Sequence, residues 1–135
     1  MKIKDVIEWI MIADEDLYSA KILSEQIRKP YEIICYHCAQ SVEKYLKGYL
    51  AYIDVTAPKT HNLSQLLDLC IENNNDFENI RTECGILNKF TNDIRYPHRI
   101  EIKEADMMYS IGAVETIKNI KPIKNLIEIT AKENE

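Results

Sequence analysis

Glycine and proline are scarce, at three and four in 135 residues, and no uncharged apolar run approaches the roughly 18 residues a membrane-spanning helix requires. Acidic residues at 5, 8, 14 and 15 interrupt the place where a secretory signal would sit, so a cytoplasmic protein is expected. Positive charge is also short: 17 Lys and Arg stand against 22 Asp and Glu, a formal net charge of −5. That balance disfavours a general polyanion-coating protein, which depends on cations displacing phosphate counterions, but it leaves room for a local basic patch. The Gly-rich phosphate loop, the G-x-S-x-G elbow and the H-E-x-x-H helix are all missing, so NTPase, hydrolase and metalloprotease readings lose their support. Without repeats, low-complexity tracts or long linkers, the chain is expected to form one domain over residues 1–135.

Four cysteines are present, at 35, 38, 70 and 84. Cys35 and Cys38 make a C-x-x-C, but both fall on the apolar side of a helical pattern, and Cys70 and Cys84 supply no second pair at metal-ligand spacing. They read as reduced core thiols, with no metal and no cofactor expected.

With 29% charged residues and apolar positions recurring at intervals of three and four, the expected fold is all-α, an up-and-down bundle of about five helices. Val6, Trp9, Ile10, Ala13, Leu17, Ala20, Leu23 and Ile27 form one stripe from about Lys4 to Ile27. Pro30 breaks the chain, and a second helix from about Tyr31 to Ile53 turns Ile34, Cys35, Cys38, Val42, Leu46, Tyr49 and Ile53 inward. Asn62, with Gln65 three residues on, predicts a capping box ahead of a third helix that stops at Asn73–Asn75. A fourth is expected from about Asp76 to Thr91. A fifth begins near Lys103 and is kinked or ended by Pro122, leaving Leu126 and Ile127 in a looser terminal turn. The predicted core centres on Trp9, Leu17, Cys38, Val42, Leu46, Leu66 and Leu87.

Two groups of residues are candidates for chemistry. On the second helix, Gln40, Lys47 and Ala51 point almost opposite Cys38, flanked by Glu43 on one side and by Lys44 and His37 on the other. This row is either a solvated face or one wall of a groove. Ser41 and Gly48 form a small-residue strip where a neighbouring helix can approach. The other group is Arg95-Tyr96-Pro97-His98-Arg99, a rigid turn holding two guanidiniums, an imidazole and a phenol. It suits a phosphate and a base, and it equally suits the negative end of a helix dipole, with Asp93 as a partner. His61 precedes the third helix, where a histidine commonly serves as a cap or loop hydrogen-bonder.

The pieces "ADEDLYSAKIL", "CYHCAQSVEKYLKGYL", "PKTHNLSQLL" and "LNKFTNDIRYP", in this order and after an early tryptophan, resemble the HEPN family, whose name refers to higher eukaryotes, prokaryotes and nucleotide binding. The resemblance runs from about residue 9 to 120. It implies a helical bundle, commonly dimeric, with a nucleotide- or RNA-related role, often encoded beside a minimal nucleotidyltransferase in toxin–antitoxin pairs. Carried over by position, it marks Gln40, Glu43, Lys44, Lys47, His61, Arg95 and Tyr96 as ligand-binding, beside Pro97. Ribonucleolytic members place four to six residues between an arginine and a histidine, whereas Arg95 and His98 are separated by only two. A binding or regulatory partner is therefore the expected function, and a metal-independent ribonuclease using Arg95 and His98 is the alternative. A homodimer is expected as well, through Tyr45, Tyr49, Leu50, Tyr52, Met107, Met108 and Ile111, which exceed what one bundle interior needs.

Overall fold

The computed structural model describes residues 1–92, 97 and 100–134. Its frame is an antiparallel pair, α1 (Ile3–Ser24) and α2 (Tyr31–Tyr52). Along α1, Val6, Ile10, Ala13, Leu17 and Ala20 recur every three or four residues and are all buried, whereas α2 is buried on almost every side. The small-residue strip explains how the two helices come so close. A Cβ on Gly48 would stand 3.0 Å from Ile10 Cδ1 and 3.2 Å from Trp9 Cβ, and the Ser41 hydroxyl donates to the Ala13 carbonyl at 2.8 Å.

Around this pair lie α3 (Leu63–Asn73), α4 (Arg81–Leu87), α5 (Glu104–Lys118) and α6 (Lys121–Glu133), with short 3₁₀ turns at Asn75–Ile80 and Asn88–Phe90. Their apolar faces join one continuous core cluster with α1 and α2. Asn62 caps α3 by accepting the Gln65 amide at 3.2 Å, although its own N–H donates to Thr60 Oγ1 rather than to Gln65.

The fold is all-helical among the described residues, as expected, and several details differ. The fourth helix is broken: only Arg81–Leu87 is α-helical, and 3₁₀ turns flank it. Phe77, Ile80, Cys84, Leu87 and Phe90 are nevertheless all buried, because steps of three residues suit a 3₁₀ turn as well as an α-helix. Pro122 opens a sixth, 13-residue helix instead of leaving a loose turn, since a first-turn proline forfeits no intrahelical hydrogen bond. The first helix stops at Ser24, which leaves Ile27 fully exposed. Trp9 is only half-buried, at the edge of the core. The expected dimer patch also needs correcting, because Tyr45, Tyr49, Leu50 and Met107 belong to the core of one subunit. The exposed large apolar residues include Met11, Tyr18 and Ile22 on α1 and Met108 on α5.

All four cysteines are free and buried. Burial pushes the Cys35 thiol up to about 11 and the Cys70 and Cys84 thiols up to about 12, so they behave as core residues.

Candidate functional site

The polar row of α2 is neither simply wet nor uniformly buried. Its centre is Glu43, a carboxylate only 1% exposed, which needs partners to stay ionised. Three cationic or ionisable groups supply them. Lys44 donates to Glu43 Oε2, Lys47 Nζ lies 3.4 Å from the same oxygen, and His61 Nδ1 stands 2.7 Å from Oε1.

Local sequence explains why His61 reaches a helix 18 residues upstream. The chain between α2 and α3 turns through Pro58, whose carbonyl accepts the Thr60 amide at 2.9 Å, and Thr60 in turn receives the Asn62 N–H. Asn88 then accepts the Leu63 amide at 2.8 Å, which fixes the start of α3 against the second 3₁₀ turn. A proton on Nδ1 would let the His61 ring donate to the carboxylate, leaving Nε2 outside that contact on a side chain that is 59% exposed.

Burial by itself pushes the Glu43 carboxyl up. The hydrogen bonds from Lys44 and His61, with the charges of Lys44 and Lys47, overcome that effect and hold it below its ordinary value of 4.5. Gln40 extends the cluster by accepting from Lys44 Nζ at 2.8 Å through Oε1, while its buried Nε2 has no partner among the described residues. Lys47 faces two ways, because its ammonium also lies 5.7 Å from the centroid of the Trp9 ring, a cation–π contact. The charges do not balance: two ammonium groups face one carboxylate.

The side of α2 that carries His37, Ser41 and Tyr45 meets α1 through a second polar set. His37 Nδ1 lies 3.0 Å from Asp16 Oδ1, Tyr45 donates to Asp14, and Ser41 bonds to the Ala13 carbonyl. Burial first, and then the Asp14 carboxylate, push the Tyr45 phenol far above its ordinary range.

The structure therefore gathers Gln40, Glu43, Lys44, Lys47 and His61 into one cluster. Arg95, Tyr96 and His98 lie outside the described residues, and Pro97 is an exposed turn position. Among the described residues no group of His, Cys, Asp and Glu is arranged to hold a metal. Sequence reasoning missed the partners Asp14, Asp16 and Asn88, and it missed the exposed edge of Trp9. The one available signal was the acidic run Asp14-Glu15-Asp16, which puts carboxylates beside the apolar stripe facing α2.

Comparison with known proteins agrees with the helical fold. No curated protein and no solved structure matches the chain. The model of the HEPN domain matches residues 6–126, from the buried Val6 of α1 to the buried Leu126 of α6. Because that match covers most of the chain, reaching into every α-helix among the described residues, the chain belongs to the HEPN family.

Proposed function

We propose that this chain is a nucleotide- or RNA-associated binding or regulatory protein, the partner of a minimal nucleotidyltransferase in a toxin–antitoxin-type pair, and that the Glu43 cluster takes the phosphate of its ligand. HEPN domains are associated with nucleotide- and RNA-related function. The observation that carries the reading is the charge imbalance at Glu43. Leaving the imidazole out of the count, two ammonium groups against one carboxylate leave a net +1 in a chain whose overall charge is −5.

Lys44 and Lys47 are mostly buried, at 16% and 12% exposed, so an arriving phosphate meets cations already stripped of much of their water. His61 Nε2 adds a hydrogen-bonding position at the rim. Asn88, seven residues before Arg95, bonds to the start of α3 directly beside His61. On this reading Arg95 joins the phosphate contacts and Tyr96 stacks on a base.

Calorimetry at low salt with nucleoside triphosphates and short RNA tests this. Weak binding is expected, falling with salt on a log–log slope of about −1 to −2 because the cation set is small. Lys44→Ala should abolish most of it; the thermal midpoint should also fall, because Glu43 and Gln40 lose a partner, while circular dichroism stays helical. Absence of binding to every nucleotide and RNA would sink the reading.

The protein is also proposed to be a homodimer, as HEPN domains often are. The contact would use the exposed Met11, Tyr18 and Ile22 of α1 and Met108 of α5, on helices that the Lys21–Glu115 ion pair ties together. A dimer mass is expected by light scattering at tens of micromolar, and a monomer mass would refute it.

A further inference from the structure

A separate groove of about 630 Å³ opens between the first turns of α1 and the chain that leaves α2. Its floor is Trp9, and Ile12 and Val55 line it while remaining more than a third exposed. Asp5, Glu8 and Asp54 stand around it against Lys2 and Lys47, and Lys47 is already engaged by Glu43. With Lys47 counted in the Glu43 cluster, three carboxylates face Lys2 and the Met1 ammonium, so the rest of the groove carries one net negative charge.

Asp54 combines an uncommon backbone conformation with a charge of the unfavourable sign for its position. It is the only non-glycine with a positive φ, 64°, among the described residues, at the position after the helix cap where glycine or asparagine is the cheap choice. The turn itself is regular, with Val55 N–H donating to the Leu50 carbonyl at 2.9 Å and Asp54 N–H to that of Ala51 at 3.2 Å. Asp54 also puts a carboxylate at the negative end of a 22-residue helix whose last turn contains no basic residue. Local departures of this kind mark places where something other than stability sets the residue. A cation does occupy the position: the Met1 ammonium lies 3.1 Å from Asp54 Oδ1, in an exposed pair of the sort that contributes little and is readily exchanged.

We propose that this groove docks a basic, aliphatic-rich peptide segment of a partner protein, with a guanidinium or ammonium against Asp54 and Glu8 and its aliphatic neighbours on Trp9, Ile12 and Val55. Charge complementarity selects the cation, and Asp54 adds the negative helix end to its own charge. Size and apolarity select a peptide over a small polycation, because spermidine would leave Ile12 and Val55 in water. This inference does not depend on the nucleotide reading.

Trp9 is the only tryptophan in the chain, so its emission reports directly on the groove. The full-length protein, without nucleotide, is titrated with a capped octapeptide of leucine and arginine. Parallel titrations use the same peptide with glutamate for arginine, the same peptide with serine for leucine, and spermidine. The leucine–arginine peptide should shift Trp9 emission with an affinity at least about tenfold better than each control, a difference of about 1.4 kcal/mol. Asp54→Asn keeps a residue that tolerates the left-handed backbone while removing the charge. It should weaken the peptide about three- to tenfold and leave the thermal midpoint equal or higher, since a carboxylate leaves the helix C-terminus. Ile12→Gln, at a partly exposed position, should weaken it independently. Equal binding by spermidine or by the serine peptide, no emission change with the leucine–arginine peptide, or unchanged affinity in both variants would each overturn the proposal.

Discussion

The two flanks of α2 present similar residue types to different ends. Toward α1, His37 has Asp16, Tyr45 has Asp14 and Ser41 has the Ala13 carbonyl, one partner for each group. Toward the α2–α3 loop, Lys44, Lys47 and His61 all converge on Glu43, and the Gln40 amide has no partner among the described residues. Paired groups fasten one helix to another. An unbalanced cluster keeps interaction capacity that folding has not consumed, and in a buried setting that residue of charge and hydrogen bonding is what a ligand can use.

The sharpest disruption should strike both flanks together. Leu46 is wholly buried between them, and Leu46→Ala is expected to cost about 2–5 kcal/mol in chemical denaturation through lost transfer energy and an unfilled cavity. A loss well under 1 kcal/mol would mean that α2 is not the common support. Next comes Glu43→Gln, expected to cost about 1–3 kcal/mol at neutral pH because buried donors lose a charged acceptor. The sign of its pH dependence follows from the lowered carboxyl. Glu43 contributes stability above its ordinary value of 4.5, and that contribution drains away as pH falls through the lowered one, so the gap between wild type and variant should close in acid. Nucleotide affinity should not fall in parallel, since the substitution frees both lysines from their counter-ion. A gap that widens in acid would contradict this account of the cluster.

The smallest effect is reserved for the fastened side. Tyr45→Phe removes one donor to Asp14, a carboxylate on an exposed residue that water can resolvate, so a loss of about 1 kcal/mol is expected. Ligand binding should be untouched. If this variant instead abolished nucleotide binding, the division between a fastening flank and a binding flank would collapse.

Much of the fold was legible because periodicity reports burial. The spacing of Val6, Ile10, Ala13, Leu17 and Ala20 named the buried side of α1, and the Ser41 and Gly48 strip marked where α2 would meet it. Helix boundaries were less legible. Apolar residues spaced by three fit both a 3₁₀ turn and an α-helix, which is how the segment from Asn75 to Phe90 came to look like one helix. Tyr45, Tyr49 and Leu50 looked superfluous to a single core because a wheel shows directions on one helix and says nothing of how many neighbours surround it.

By itself, the sequence determined the helical class, the two long helices and the identity of the polar row, since each depends on interactions within a few residues of chain. Tertiary structure alone decided what that row touches. Glu43 and His61 are 18 residues apart, joined through a loop whose path depends on Thr60, Asn62 and Asn88, and nothing in their spacing states that imidazole and carboxylate meet at 2.7 Å. Whether a lysine on a helix is a solvated charge or part of a desolvated cluster depends on what packs beside it, and that is a property of distant chain segments brought together by the core.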